Sequence, residues 1–478
     1  MDPADQASSA QTWQRLEDPE LKATIYQRGA HHQGNFIRVY VPEAAKQHGE
    51  KLRVMLYLHG FALCLPSFYE DHLRELTRNG WIVIFPDFQP SAYREEPLRV
   101  GATTPAKADR SLRWGASTRR LLGREGSGLL EAEDLPEELA GLVGAGENEP
   151  GRVLPPLKVG DLRRVLLPWL LIQLVLAVIG WFRRNYARNL GQLIGTVLIS
   201  LAYAPTSWLA NALFQAERAL SDLSQEPAYA HWAQAEIESN CFGHSLGGLL
   251  ALSLPSLGAR PSGQASPTSA TAEANQPGRE SQTAPAQPFS SGGQSQERPF
   301  NLQPQVIVTA DPATSTEMGI PGFAICLLKL FHSPFTTDPV AIQETGAHLL
   351  CPVAILHGLA DTLVPPQLWA VAGGGGAFSS IASPHKALYF DSSNPNPQRD
   401  LIAFHNQAVT STQYYDDDLF KSFGGVKHGP NAYNCRWIWP ALMALCGDRV
   451  APETLLDHLH EERPFDVSTD PPQQRSWF

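Results

Sequence analysis

Apolar and polar residues follow three strand-like patterns in the first hundred positions. They alternate over 35–42 (NFIRVYVP), as expected for a strand with one buried face. Nearly continuous apolar runs at 52–60 (LRVMLYLHG) and 81–88 (WIVIFPDF) indicate strands buried on both faces. Helical spacing over 67–80 (SFYEDHLRELTRNG) lies between these two runs. A strand, a helix and a strand in close succession predict a βαβ unit, and therefore a mostly parallel sheet.

The same patterns return in the second half of the chain. Residues 236–257 (EIESNCFGHSLGGLLALSLPSL) predict a strand, a sharp turn and a helix. Three further apolar runs predict strands at 304–313, 351–361 and 385–391. The predicted fold class is therefore α/β, with a mostly parallel central sheet flanked by helices.

A long segment at 101–214 separates the two halves of this strand pattern. Residues 100–160 are rich in Gly, Pro, Glu and Arg and have no sustained period, which is typical of a loop. Two apolar stretches follow, at 165–182 and 193–214. An excursion at the carboxyl edge of a parallel sheet lies over the usual position of an active site. We therefore expect an inserted hydrophobic helical lid.

The stretch 165–182 is free of charged residues, and a helix of its length would span roughly 27 Å, close to the thickness of a bilayer core. Pro168, Gln173 and Gly180 argue against a spanning helix. Three alternatives stay open: a packed lid helix, a helix lying in the membrane surface, or a spanning hairpin with 193–214. The second and third imply membrane association through 165–214.

Composition divides the chain into seven segments. The segment 259–299 contains one large apolar residue, Phe289, and cannot bury enough surface to order itself. The expected boundaries are a disordered tail at 1–20, a first core part at 21–100, the lid at 101–214, a second core part at 215–258, a disordered surface loop at 259–299, a third core part at 300–465 and a tail at 466–478.

Charge and cysteine content exclude some classes of function. The net charge of −11 over 478 residues argues against nucleic-acid binding, which usually requires a basic patch. The six cysteines form no C-x-x-C pair and no zinc-like spacing, so we expect reduced thiols and no metal. The polar, acidic amino terminus lacks the pattern of a signal peptide. The expected location is cytoplasmic, free or attached to the inner face of a membrane.

The turn after the strand at 236–244 carries the clearest chemical signal. Gly243, Ser245 and Gly247 form a G-x-S-x-G pattern between a strand and a helix, which predicts a nucleophile elbow. An oxyanion hole would take one amide from Leu246, the residue after the serine. The other amide should follow an early strand. His59 and Gly60 end such a strand, which nominates the amide of Phe61.

Three segments together resemble the α/β-hydrolase superfamily: LYLHGFALCLPSFYEDHLRELTRNGWIVIFPDFQ, GHSLGG and CPVAILHGLADTLVPP. Within it they are similar to esterases of the dienelactone-hydrolase, cutinase and platelet-activating-factor-acetylhydrolase type. The resemblance covers about 22–95, 215–257 and 300–446, and excludes the two insertions. It implies a catalytic serine, followed along the chain by an acid and then a histidine.

That order points to particular acids and bases. Asp361, in HGLADTLVPP, matches the acid motif, and Asp311 is the alternative because some members carry the acid one strand earlier. His405 lies on the loop after the last predicted strand and is the expected base, with His428 as its rival. His244, inside the elbow, is expected to be a packing residue.

The expected function is a serine hydrolase that cleaves carboxylic esters with an apolar acyl or alcohol part through an acyl-enzyme. Its substrate would be a small-molecule or lipid-like ester, and the reaction requires no cofactor. Two alternatives stay open: an acyltransferase on the same fold, and a catalytically inactive membrane-attached scaffold.

Overall fold

The computed structural model describes most of the predicted core. The described residues are 13–93 except 48 and 50, 98, 154, 184–259, 300–394 except 319, 321 and 331, 401–411, and 429–472 except 460 and 461. They form a single ten-stranded sheet with helices packed on both of its faces.

The sheet has the strand order β1-β2-β3-β5-β4-β6-β7-β8-β9-β10. Its five central pairings, from β5 through β4, β6, β7 and β8 to β9, are parallel, and the pairings at both edges are antiparallel. The strands are β1 Gln14–Asp18, β2 Ala23–Arg28, β3 Ile37–Pro42, β4 Lys51–Leu58, β5 Ile82–Pro86, β6 Glu236–His244, β7 Ile307–Ala310, β8 Val353–Gly358, β9 Lys386–Asp391 and β10 Val467–Ser468.

Helices connect the parallel strands and cover the sheet. They are α1 Glu70–Arg78, α2 Arg184–Ser200, α3 Pro205–Leu223, α4 Leu246–Ser253, α5 Ser256–Ala259, α6 Gly322–Leu330, α7 Ile342–Thr345, α8 Trp439–Leu442 and α9 Leu455–His458. One π-helical turn precedes α8, at Asn434–Ile438, and another follows it, at Met443–Gly447.

Two apolar clusters form the core, one on each face of the sheet. The alternation of a strand divides β4 between them: Leu56 and Leu58 belong to one cluster, and Met55 and Tyr57 to the other. Helices α3 and α4 cover the first face, while α1 and α8 cover the second. Burial on both faces explains why β4 reads as a continuous apolar run rather than an alternating one.

The structure confirms the predicted α/β class and the mostly parallel sheet, and it adds three strands at the edges. Strand β1 lies within the segment 1–20 that was predicted to be a disordered tail, so that prediction is wrong for 14–18; residues 1–12 lie outside the described part. Strand β10 lies in the predicted tail 466–478. Strands β1 and β10 are partly exposed or short, so their hydrophobic patterns are weak. The third added strand, β2, is buried at five of its six residues, and this reason does not apply to it.

The described part of the predicted lid consists of residue 154, α2, the turn 201–204 and the beginning of α3. Helix α3 continues past residue 214 to Leu223, and its buried face packs against the sheet, with Trp208 and Ala212 in the first cluster. The side-chain amides of Asn211 and Gln215 hold it to the carbonyl of Gly34, at 2.8 Å in both cases. The apolar run 165–182 and the loop 260–299 lie outside the described residues, so the lid stays a prediction.

Among the described residues, no single helix has both the length and the apolar character needed to cross a membrane. One pair of helices, Leu190–Ser200 and Pro205–Leu223, meets the length and composition test together, with a bend of 102° between them.

Candidate active site

Ser245 occupies a strained turn between β6 and α4. Its φ of 54° and ψ of −119° lie outside the regions that non-glycine residues usually adopt. The turn is possible because the residues two positions before and after the serine, Gly243 and Gly247, lack side chains. A Cβ on Gly243 would lie 2.4 Å from the carbonyl oxygen of Gly247, and a Cβ on Gly247 would lie 2.3 Å from that of Leu58. This is the geometry that G-x-S-x-G predicts.

Ser245, His405 and Asp361 form one hydrogen-bonded chain. The Nε2 atom of His405 lies 2.6 Å from the Ser245 hydroxyl oxygen, and its Nδ1 lies 2.7 Å from Oδ2 of Asp361. With a neutral imidazole, Nδ1–H donates to the carboxylate and Nε2 accepts the serine O–H. His405 lies 160 positions after Ser245 and 44 positions after Asp361 along the chain. The parallel strands bring the three residues to one edge of the sheet.

Backbone amides fix the carboxylate of Asp361 in place. Its Oδ1 accepts the amides of Leu363 and Val364, both at 2.9 Å, which leaves Oδ2 for His405. Burial raises the pKa of Asp361, but the imidazoles of His405 and His357 and the Val364 amide outweigh that effect and hold the pKa below its ordinary value. The group therefore stays ionised near neutral pH.

The loop that carries His405 has no regular secondary structure and is nevertheless buried over most of 403–410. Its backbone groups are paired with distant elements. The side-chain amide of Asn434 donates to the Gln407 carbonyl at 2.8 Å, and the amide of Thr410 donates to the Phe68 carbonyl at 2.8 Å. These contacts hold the backbone that carries the imidazole in a fixed position.

The amides of Phe61 and Leu246 are the predicted oxyanion donors, and neither has an acceptor among the residues that the structure describes. The direction of the Phe61 amide is set by its peptide unit. The Gly60 carbonyl accepts hydrogen bonds from His59 Nδ1 at 2.8 Å and from the Leu63 amide at 3.0 Å. The peptide bond is trans, so the Phe61 N–H points away from both donors.

A buried carboxylate lies behind His59. Asp87 follows β5, and its Oδ1 lies 3.3 Å from His59 Nε2 while its Oδ2 lies 2.7 Å from His31 Nδ1. All three side chains are fully buried. Burial raises the pKa of Asp87, but the hydrogen bond with His31 and the proximity of His59 outweigh it and hold the pKa below its ordinary value.

The alternative acid, Asp311, contacts a different group. Its Oδ1 accepts the Gly358 amide at 2.8 Å and lies 3.8 Å from Nδ1 of His357. His357 donates from Nε2 to the Val364 carbonyl at 2.9 Å, and burial lowers its pKa to about 4, so it is neutral near pH 7. Asp361, rather than Asp311, is therefore hydrogen-bonded to His405. The alternative base, His428, lies outside the described residues.

Among the residues that the structure describes, two groups of side chains have the composition of a metal site. They are His31, Cys64 and Asp87, and Asp311, His357 and Asp361, each with its ligand atoms within 4.8 Å of one another. In both groups a carboxylate already bonds an imidazole: Asp87 holds His31 and Asp361 holds His405. A metal would have to displace these bonds, so the donor sets fit their present hydrogen-bonded roles better. All six cysteines are free thiols.

Sequence reasoning missed Asp87 and His31. Asp87 could have been found, because it directly follows a buried strand whose carboxyl end lies at the same edge as Ser245. His31 had no such signal. It lies in the connection between β2 and β3, which are strands of the antiparallel part of the sheet.

Comparisons with known proteins give only distant matches. No protein-family model and no curated protein matches the chain. Among solved structures, a cold-adapted esterase from an Arctic intertidal metagenomic library is 11% identical, with coverage of 79% of this chain and 88% of that chain and a TM-score of 0.30. An acetyl xylan esterase from Paenibacillus sp. R4 is 12% identical, with coverage of 81% and 85% and a TM-score of 0.33. A dienelactone hydrolase from Anabaena variabilis is 10% identical, with coverage of 77% and 85% and a TM-score of 0.28.

At identities and TM-scores this low, these matches do not decide the activity of the chain. The assignment of the fold rests on the strand order and the turn geometry of the chain itself. The parallel order β5-β4-β6-β7-β8-β9, the strained serine after β6 and the acid after β8 agree with the sequence motifs. The chain therefore has the fold of the α/β-hydrolase superfamily that its motifs resemble.

Proposed function

We propose that this protein hydrolyses carboxylic esters through a covalent acyl-enzyme on Ser245. The observation that carries the proposal is the unbroken chain from the serine hydroxyl through His405 to Asp361, with distances of 2.6 and 2.7 Å. A nucleophile, a base and an orienting carboxylate in hydrogen-bond contact are the parts that acyl transfer requires.

The first half of the reaction forms the acyl-enzyme. As the Ser245 oxygen attacks the ester carbon, its proton passes to Nε2 of His405, and Asp361 stabilises the imidazolium. The carbonyl oxygen becomes an oxyanion, which the amides of Phe61 and Leu246 bind. The tetrahedral intermediate collapses when the bond to the alcohol breaks and His405 returns its proton to the leaving oxygen.

The second half consumes water. His405 takes a proton from a water molecule as its oxygen attacks the acyl carbon, and the same amides bind the second oxyanion. Cleavage of the acyl–Ser245 bond releases the acid, and the imidazolium returns the proton to the serine oxygen.

The loops around the serine favour an ester with an apolar part. Leu359 and Leu363 flank Asp361 with 40% and 37% of their surface exposed, and Ile402 precedes His405 with 43% exposed. Exposed aliphatic side chains on the loops that carry the acid and the base would contact an acyl or alcohol chain bound beside them.

A fluorophosphonate probe tests the nucleophile. The wild-type protein should be labelled and should hydrolyse p-nitrophenyl butyrate, and Ser245→Ala should lose both properties. The matched control is Ser253→Ala, at the far end of the helix that follows the elbow, which should keep both. A wild-type protein that neither labels nor turns over ester would contradict the proposal and favour a catalytically inactive scaffold.

The base and the substrate range need separate tests. His405→Ala should abolish turnover, whereas His428→Ala should retain it; the reverse result would assign the base to His428. In a series of p-nitrophenyl esters, kcat/KM should rise with acyl length from acetate. Replacing Leu363 with Ser should flatten that rise without changing acetate turnover, if the apolar rim binds the chain.

A further inference from the structure

A second hydrogen-bonded chain connects the backbone of His405 to the loop that carries Gly60 and Phe61, here called the oxyanion loop. Its two side chains, Tyr69 and His244, take part in no step of the proposed reaction. The Gly60 amide donates to the Tyr69 hydroxyl oxygen at 2.9 Å. That hydroxyl lies 2.9 Å from Nδ1 of His244, and Nε2 of His244 lies 3.0 Å from the backbone carbonyl of His405. Both Tyr69 and His244 are fully buried.

The chemistry of the terminal groups fixes the direction of every bond in this chain. A carbonyl oxygen only accepts, so Nε2 of His244 must carry a proton and donate it to His405. In the neutral imidazole, Nδ1 is then an acceptor and takes the Tyr69 O–H. The Tyr69 oxygen, having donated its proton, accepts the Gly60 amide. Burial raises the pKa of Tyr69, so its O–H persists throughout the working range of an esterase.

Each end of the chain lies on or next to a residue that takes part in the proposed reaction. At one end, Gly60 directly precedes Phe61, whose amide is the proposed oxyanion donor. At the other, the carbonyl belongs to His405 itself. A second contact parallels the first: the Thr410 amide of the base loop donates to the carbonyl of Phe68, next to Tyr69. The turn at Phe68 and Tyr69 therefore touches both loops.

We propose that Tyr69 and His244 are positioning residues that hold the His405 backbone and the oxyanion loop in one fixed relation. This inference rests on the proposed function, because it concerns the geometry of that reaction. Neither side chain reaches the reacting atoms through its own polar group. Each acts through the backbone of a residue that does.

Tyr69→Phe removes one oxygen and leaves both the Gly60 amide and His244 Nδ1 without their partner. The kcat for p-nitrophenyl butyrate, expressed per serine titrated by the fluorophosphonate, should fall roughly 10- to 100-fold, the scale expected for a small misplacement of catalytic groups. The KM should change little. A merely structural role would lower the titratable fraction and leave kcat per titrated site unchanged.

Tyr57→Phe is the matched control. Tyr57 is also fully buried and its hydroxyl also lies 2.9 Å from a histidine, Nδ1 of His72, but that hydrogen bond involves neither loop. The control variant loses the same atom from the same kind of pair, so kcat per titrated site should stay at the wild-type value.

Three substitutions of His244 separate the two ends of the chain. Gln places an N–H donor near the position of Nε2, Asn places an acceptor near that of Nδ1, and Leu supplies neither. His244→Gln should retain the largest kcat per titrated site and His244→Leu the smallest. The double variant Tyr69→Phe, His244→Leu should be about as slow as His244→Leu alone, because the residues act as one chain.

Several outcomes would overturn this inference alone. The first is a kcat per titrated site that stays at the wild-type value in Tyr69→Phe and His244→Leu. The second is a loss of kcat in Tyr57→Phe as large as that in Tyr69→Phe. The third is a double variant whose loss of kcat equals the product of the two single losses. A histidine ¹⁵N NMR spectrum with Nδ1 of His244 protonated at neutral pH would also overturn it, whatever the activity. If the wild-type protein is not labelled and Ser245→Ala changes nothing, the proposed function fails as well.

Discussion

Asp361 with His405 and Asp87 with His59 form two pairs of a buried carboxylate and an imidazole, and the other nitrogens of the two imidazoles contact different groups. Asp361 holds His405, whose other nitrogen faces the serine hydroxyl. Asp87 lies against His59, whose other nitrogen donates to the Gly60 carbonyl. Both carboxylates follow parallel strands, and both have a pKa below the ordinary value.

The role of an acid–histidine pair therefore depends on the group that the other ring nitrogen contacts. An imidazole that faces a hydroxyl can take a proton from it. An imidazole that faces a carbonyl can only donate, and so it fixes a peptide plane. In the proposed reaction, Asp361 and His405 would activate the serine, while His59 fixes the Gly60 carbonyl and with it the direction of the Phe61 amide.

The largest effect is expected at Asp361. Asp361→Asn keeps the volume but leaves a side chain that can present an N–H to His405, which favours the wrong tautomer. The kcat should fall about 10⁴-fold with the fold intact. Steady-state kinetics and circular dichroism check this. A fall below tenfold would mean that another group, such as Asp311, orients the base.

Asp87→Asn should have a smaller effect on rate and a larger one on stability. Asp87 contacts His59, which fixes the Gly60 carbonyl, so a displaced His59 would misplace one oxyanion donor and cost at most about 10²- to 10³-fold in kcat. Replacing the carboxylate weakens its hydrogen bond with His31, which costs about 1.5–3 kcal/mol in the free energy of unfolding. Urea unfolding and kinetics on the same preparation measure both. If kcat per titrated site stays unchanged, the second pair is structural only.

The two pairs should behave alike in acid. The pKa of each carboxyl is lower in the folded protein than in the unfolded chain, where it is about 3.9. Each ionised carboxyl therefore stabilises the fold above that pH, and this stabilisation is lost as the pH falls toward the folded pKa. The free energy of unfolding should therefore fall less steeply below about pH 4 in Asp361→Asn and in Asp87→Asn than in the wild type. Slopes identical to the wild type in both variants would contradict the shared electrostatics.

The smallest effect is expected at Asp311. Its Oδ1 accepts a backbone amide, which the amide oxygen of Asn can also accept, so Asp311→Asn should change kcat less than about tenfold. The assay is the one used for Asp361→Asn, and the ratio of the two variants is the informative number. Equal losses would show that both acids act on His405.

The sequence predicted the parallel strands and the nucleophile elbow because both have local signals. Burial on two faces produces a continuous apolar run, and the elbow requires glycine on each side of Ser245. The choice of His405 over His428 came from position along the chain alone. The structure supports the contact of His405 with the serine, and His428 lies outside the described residues.

The rest depends on contacts between residues far apart in sequence. His244 was expected to be a packing residue, yet its hydrogen-bond partner Tyr69 is 175 positions away and the His405 carbonyl is 161 positions away. No periodicity records such a pairing. The edge strand β1 was missed for a different reason, since its residues are mostly exposed and carry no apolar pattern.

The proposed oxyanion donor at position 61 belongs to the main chain, and its orientation comes from the neighbouring Gly60 carbonyl rather than from the phenylalanine ring. Every amino acid except proline offers the same N–H. Position 61 is half-buried and its ring packs against both apolar clusters, so an apolar replacement of similar size should leave the amide in its present orientation. The ring and the proposed oxyanion donor of Phe61 are therefore separate parts of one residue, and substitutions that preserve the packing can probe the ring without removing the amide.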